Sequence, residues 1–148
     1  MVIDVKKLKQ SGKEECSFHF ETEMDSEIIT LPGAKFLPPV SVTGTLTLSG
    51  KTVFVFGEIE YSLSSPCSRC LKETVYHSVV DFDEEFTEDK TVEDAYLYSR
   101  GLVDLSDMVR EKIILSMPVA VLCDENCKGI CLKCGANLNE THCDCNKE

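Results

Sequence analysis

The chain lacks most of the features that mark membrane, secreted or nucleotide-handling proteins. It has no run of about 18 apolar residues, so no membrane-spanning helix is expected. Its first residues, Met1-Val2-Ile3-Asp4-Val5-Lys6-Lys7, have neither the basic start nor the apolar stretch of a secretory signal, and a cytoplasmic location is the expectation. Positive charge is scarce: 15 Lys and Arg stand against 26 Asp and Glu, for a net charge of -11. A protein that gripped nucleic acid through its phosphates alone would carry the opposite balance. Histidine is scarce as well, with only His19, His77 and His142, none of them in a recognisable motif. There is no glycine-rich phosphate loop and no nucleophile motif. These absences argue against catalysis and against a small-molecule substrate. Internal repeats and low-complexity tracts are missing too.

The few cations are partly segregated. Lys6, Lys7, Lys9 and Lys13 cluster near the start, and Arg69, Lys72, Lys128 and Lys133 lie beside cysteines. The acids concentrate over residues 81–94. A solvated acidic surface is the simpler reading of that run, and contact with a basic partner such as a ribosomal protein is the second. Magnesium binding by the acids of residues 81–85, as in a nuclease, has no supporting pattern around it.

At 148 residues and 43% hydrophobic content, the chain suits one domain plus a small appendage. Residues 16–22 read as a short strand, and residues 31–39, with Pro32, Gly33, Pro38 and Pro39, as a loop. Val42, Leu46 and Leu48 then alternate with Thr43, Thr45 and Thr47, up to a turn at Ser49-Gly50. Over residues 52–63, Val53, Val55, Ile59, Tyr61 and Leu63 share a face, while Phe54 and Phe56 on the other suggest an end covered on both sides. A third strand over residues 74–86 puts Tyr76, Val80, Phe82 and Phe86 on one side. An acidic connector, 87–103, leads to a helix that Asp104 or Ser106 can cap. Its stripe of Leu105, Met108, Val109 and Ile113 reads as core, and Pro118 forces the stop. The predicted fold is α+β: an antiparallel β-meander or partly open barrel packed on one main helix over residues 1–122. A small cysteine-rich zinc knuckle follows over residues 123–148, too poor in apolar residues to fold without a metal.

Cysteine is what the chain has in abundance. Eight of its nine cysteines fall into pairs: Cys67 with Cys70, Cys123 with Cys127, Cys131 with Cys134, and Cys143 with Cys145. In a reducing compartment such pairs read as metal ligands before disulfides. Zinc takes four thiolates in a tetrahedron, and two cysteines in a tight turn reach one ion. Cys131, Cys134, Cys143 and Cys145 are assigned to one site, with Gly135 placed for the turn-back of a knuckle. If the helix returns to that end of the sheet, Cys67, Cys70, Cys123 and Cys127 form a second, making two ions. The argument for this partition is that it leaves no pair unused. A shuffled cluster of the six C-terminal cysteines competes with it, and His142 competes as a ligand. Cys16 is left as a small buried hydrophobe or an exposed free thiol. A thioredoxin-like redox pair lacks its βαβ context here. An iron–sulfur cluster also takes four cysteines, but two knuckle-like pairs closing a small loop favour zinc. All-cysteine sites are closed, which makes the zinc structural.

These motifs in this order resemble the YceD family: Cys67-Ser-Arg-Cys70-Leu71, then Glu111-Lys112-Ile113-Ile114-Leu115-Ser116-Met117-Pro118, then Cys127-Lys-Gly-Ile-Cys131-Leu-Lys-Cys134-Gly-Ala-Asn137-Leu138-Asn139. The resemblance spans roughly residues 38–145. It implies a bacterial factor in the accumulation or processing of large-subunit ribosomal RNA, without supplying a mechanism or an active site. The cysteine-rich tail resembles that of Gram-positive members. The reading ranked first is a non-enzymatic zinc-binding factor that engages ribosomal RNA or a ribosomal protein of the large subunit. Its candidate contacts are Lys6, Lys7, Lys9, Arg69, Lys72, Lys128 and Lys133. A metal-dependent nuclease ranks second, and a thiol-based redox or metal-storage protein third. A basic face at the knuckles would favour RNA, and an acidic face without one a basic protein.

Overall fold

The computed structural model describes residues 1–145. Its centre is a five-stranded sheet in the order β2-β3-β4-β5-β6. The strands are β2 (Glu15–Thr22), β3 (Lys35–Ser49), β4 (Thr52–Pro66), β5 (Glu73–Thr87) and β6 (Tyr96–Leu97). The first four form an antiparallel meander, and β6 joins β5 in parallel. The sheet is open, with β2 and β6 at its edges. A two-stranded ladder of β1 (Val2–Asp4) and β7 (Leu102–Asp104) stands apart from it.

Period-two alternation decides which face is buried. Val42, Leu46, Val53, Val55, Ile59, Tyr61 and Leu63 all point inward with almost no exposure. The helix α2 (Ser106–Ser116) closes that face with Met108, Val109 and Ile113, and α1 (Val5–Gln10) adds Val5. Each such side chain contributes about 1.5–3 kcal/mol when fully removed from water. Tyr61 donates or accepts a hydrogen bond with the Ser116 hydroxyl at 2.9 Å, fixing the end of α2 to the sheet. Lys112 pairs with Glu84, and the Tyr96 hydroxyl donates to Glu111 at 2.5 Å.

Several expectations are corrected. Residues 35–39 belong to β3 and are not loop. The strand accommodates Pro38 and Pro39, which have no N–H to donate, because its register with β4 shifts between Leu37 and Ser41. The connector contains β6 and most of β7. The helix boundary residue is Leu105, which has no side-chain oxygen to offer. Asp104 serves from one position earlier, accepting from the Ser106 backbone N–H at 3.0 Å and its hydroxyl at 2.6 Å. These bonds hold its carboxyl below the usual range. Phe56 is 46% exposed, so the outer face of β4 is not covered there. Cys16 is a partly buried β2 residue packed on the core.

Gly44 and Gly57 face each other across β3 and β4 where the strands pinch together. A Cβ on Gly57 would sit 2.1 Å from the Thr43 carbonyl oxygen, and one on Gly44 would sit 2.8 Å from the Phe18 ring. Gly57→Ala is therefore expected to cost about 2 kcal/mol and to lower the thermal midpoint by roughly 5 °C, read by circular dichroism melting. An unchanged midpoint would show that the strands can part without cost.

Candidate metal centres

β4 ends at Pro66, and the chain turns at once through Cys67-Ser68-Arg69-Cys70. The turn is closed by two backbone bonds, Leu71 N–H to the Cys67 carbonyl at 2.9 Å and Cys67 N–H to the Lys72 carbonyl at 2.8 Å. Residues 131–136 repeat it: Gly135 N–H to the Cys131 carbonyl and Cys131 N–H to the Ala136 carbonyl, both 2.8 Å. Both turns need a left-handed residue after the second cysteine. Gly135 supplies it at φ 74° and Leu71 adopts it at φ 63°, a conformation that costs a side-chain-bearing residue about 1–2 kcal/mol. The two C-x-x-C segments are thus the same device used twice.

The chain after α2 returns to the first turn. Ser68 N–H donates to the Val121 carbonyl at 2.8 Å, and Val121 N–H donates to the Ser68 hydroxyl at 3.2 Å. This brings Cys123 and Cys127 onto Cys67 and Cys70. The sulfurs of Cys67, Cys70, Cys123 and Cys127 lie within 4.8 Å of one another, as do those of Cys131, Cys134, Cys143 and Cys145. Each quartet could hold a metal ion. The first, inner quartet has Cys67, Cys70 and Cys127 buried, whereas the outer has only Cys131 buried and Cys134 exposed. His142 belongs to neither group.

The spacing suits a tetrahedral thiolate site. Sulfurs about 2.3 Å from one zinc stand about 3.8 Å apart. Here Cys67–Cys127 is 3.8 Å, Cys70–Cys123 3.5 Å, Cys134–Cys143 3.4 Å and Cys131–Cys143 3.3 Å. All are far beyond a disulfide's length of about 2.05 Å. N–H groups also point at sulfur: Arg69 N–H at Cys67 (3.5 Å), Cys145 N–H at Cys143 (3.4 Å) and the Asn139 amide at Cys127 (3.3 Å). Such donors stabilise thiolates.

The thiol pKa values diverge within each quartet. Burial pushes Cys67 up, but the N–H groups of Cys70, Arg69 and Cys123 outweigh it and bring it down to about 6. Cys123, facing the Cys70 sulfur and partly desolvated, is driven up to about 12. The N–H groups of Cys134 and Lys133 lower Cys131 to about 6. The Cys145 N–H pulls Cys143 down, yet the sulfurs of Cys145, Cys131 and Cys134 prevail and lift it to about 12. Four sulfurs this close cannot all ionise by themselves. A divalent cation at their centre removes that conflict.

The candidate cations are not brought together. Lys6, Lys7 and Lys9 lie on α1, with the Lys9 ammonium 3.5 Å from the Gly50 carbonyl at the β3–β4 turn. The knuckles sit at the other end of β4, a strand of 15 residues that spans roughly 45 Å. At that end Arg69 donates to the carbonyls of Glu125 and Cys127, and Lys133 to that of Cys145. Lys72 approaches Glu140 at 4.0 Å, and Lys128 is exposed. Two of the three histidines are surface partners: His19 bonds Thr43 beside Glu21, and His77 bonds Ser62 beside Glu60. The sequence reading missed Asn139, whose only signal is its place within the resemblance motif.

The family model described as large ribosomal RNA subunit accumulation protein YceD matches residues 55–148, more than half of the chain. The chain belongs to the YceD family. The YceD match begins within β4 and takes in all eight paired cysteines, leaving β1, α1, β2 and β3 outside it. The chain is 48% identical over 46 residues to a chloroplastic YCED homolog 1 of Arabidopsis thaliana, and 48% over 44 residues to its Zea mays counterpart. These stretches cover 31% and 29% of the chain but only 14% and 15% of the plant proteins. An uncharacterized Bacillus subtilis protein, YlbN, is 25% identical over 114 residues, covering 73% of the chain and 66% of that protein. No solved structure matches the chain.

Two outcomes follow from the paired turns. Cys67→Ser is expected to reduce bound metal from two ions to one per chain and to lower the melting temperature, read by elemental mass spectrometry and calorimetry; unchanged metal content would refute the inner assignment. Leu71→Gly should leave metal content intact without destabilising the fold, whereas Gly135→Leu should cost about 1 kcal/mol at the outer site. Equal tolerance of both would remove the argument from backbone conformation.

Proposed function

We propose that the chain is a non-catalytic, zinc-dependent cytoplasmic factor that supports accumulation of large-subunit ribosomal RNA by holding a basic protein of the large subunit. The role in rRNA accumulation comes from the family's description. Zinc is favoured by the all-sulfur donor sets, each with four sulfurs within 4.8 Å of one another; four thiolates around one ion would leave no open position for a reacting water. The same closure supports a structural over a catalytic ion. Among the described residues, the groupings of three or more potential ligands are the two cysteine quartets. The carboxylates of residues 81–85 are split instead: Asp81, Asp83 and Glu85 face solvent and Glu84 pairs with Lys112. That arrangement gives the nuclease reading no support.

The observation that carries the choice of partner is the outer face of the sheet. Glu15, Glu21, Glu58, Glu60, Asp81, Asp83 and Glu85 all project from it, exposed. Lys35 is the one Lys or Arg on that face of β2 to β5. Glu58 stands directly opposite Asp81, a like-charge pairing that destabilises a sheet by a few tenths of a kcal/mol. Exposed Phe56, Val75 and Val79 lie among these acids. Such a face repels phosphates and attracts Lys- and Arg-rich protein. The knuckle cations that would have favoured RNA are largely engaged within the chain.

Crosslinking of the zinc-loaded chain to dissociated large-subunit proteins and, separately, to deproteinised rRNA tests this. A basic ribosomal protein should crosslink through the sheet face, with at least tenfold weaker capture by the Glu58→Lys/Asp81→Lys chain and steep loss at high salt. Predominant crosslinks from Lys6, Lys7, Lys9, Lys128 or Lys133 to rRNA would overturn the protein partner in favour of RNA.

A further inference from the structure

One side chain from the outer quartet's loop touches a sulfur of the inner quartet. Asn139 belongs to the loop of residues 136–142 that separates Cys134 from Cys143, both outer-quartet residues. Its amide nevertheless reaches the inner quartet, donating to the Cys127 sulfur at 3.3 Å. The second N–H of that amide donates to the Asn137 side-chain oxygen at 2.8 Å, and the Asn139 oxygen accepts from the Lys128 backbone N–H at 2.8 Å. The Lys128 N–H can face only an oxygen, so the orientation of the amide is fixed and its NH2 must point at sulfur. The loop is pinned on its approach by the Leu138 N–H to the Gly129 carbonyl at 2.9 Å and by a bridge between Ile130 and Asn137.

We infer that Asn139 makes the two metal sites interdependent, because the outer site orders the loop from which its amide holds the Cys127 sulfur of the inner site. This rests on the reading of both quartets as metal sites. Asn139 is a positioning residue and not a ligand. Its N–H fixes the position of the Cys127 sulfur and hydrogen-bonds it from outside the coordination sphere, so it supports metal binding at a site it does not coordinate. Without the outer ion, residues 136–142 lose the closure between Cys134 and Cys143 at the two ends of the loop, and its contacts with residues 128–130 are left to hold it by themselves. Asn139 is itself exposed, so only a held loop keeps the amide in place. The inner ion therefore depends on the outer one, although the outer quartet is the more exposed of the two.

The test uses the full-length, metal-free chain titrated with cobalt(II) against a competing chelator. Four chains are compared: the natural one, Asn139→Ala, Cys134→Ser/Cys143→Ser, and the combination. The inner site is identified by its loss in a Cys67→Ser/Cys70→Ser chain. Asn139→Ala and the outer-site double variant are each expected to weaken the inner site by about tenfold, and their combination by no more than either. Subtracting the Cys67→Ser/Cys70→Ser spectrum isolates the inner site's thiolate-to-cobalt band. In Asn139→Ala that band should move to longer wavelength, since a sulfur without its N–H donor gives up charge more easily; general loosening of the fold would not shift it this way. Should the outer-site variant fail to fold, this band and the Asn139→Ala affinity decide the question. Inner-site affinity unchanged in either variant, additive losses in the combination, or an unmoved band overturns the interdependence while leaving both metal sites standing. Absence of any thiolate-to-cobalt absorption in the natural chain overturns the metal reading itself, and the interdependence with it.

Discussion

Everything after α2 depends on the convergence of four sulfurs at the end of β4. Between residues 117 and 145 the buried positions are Val121, Cys127, Gly129 and Cys131. Val119 and Leu132 are almost fully exposed. A segment with so little apolar surface removed from water cannot offset the entropy of ordering its backbone, about 1–2 kcal/mol per residue. Under the proposed function, thiolate–metal bonds supply the compensating term, because in such small segments binding energy is folding energy. The inner quartet is also where tail and sheet meet. Cys67 and Cys70 extend the central strand, while Cys123 and Cys127 come from the segment that follows the helix.

The same tight turn serves both quartets, yet the surroundings differ. The inner turn is backed by the end of the sheet and by Arg69, whose guanidinium spans to the Glu125 and Cys127 carbonyls. The outer turn is backed mainly by its own loop and by Lys133 reaching the Cys145 carbonyl. Cations that looked available for a partner are thus used to satisfy carbonyl groups around the sulfurs. This fits the charge distribution as a whole: the acids dominate the open face of the sheet, and the basic residues are spread between two distant ends of β4.

Some features could be read directly because a local rule sets them. The alternation of Val53, Val55, Ile59, Tyr61 and Leu63 marks a half-buried strand whatever the strand packs on. Pro118 ends α2 by removing an N–H, and Met117 is indeed already extended. Other features had no local signature. β6 is two residues long and β7 three, and both are strands only because β5 and β1 lie alongside them. Pro38 and Pro39 look like loop residues locally, and only the register shift against β4 makes room for them in a strand. Phe54 and Phe56 suggested a covered surface, but no element crosses that side of β4 at Phe56.

By itself the sequence determined the chemistry: eight paired thiols, an excess of acid, and a sheet with one greasy face. These follow from residue type and spacing, which survive in any fold that keeps cysteines two to four residues apart in one turn. Tertiary structure alone decided where that chemistry is presented. The path from α2 back to Ser68 sets the inner quartet against the sheet. The strand register gathers the exposed carboxylates of β2, β4 and β5 on one face. The fold of residues 136–142 carries Asn139 across to a sulfur twelve positions earlier. Each of these is a long-range pairing, fixed by hydrogen bonds between segments whose sequences give no sign of one another.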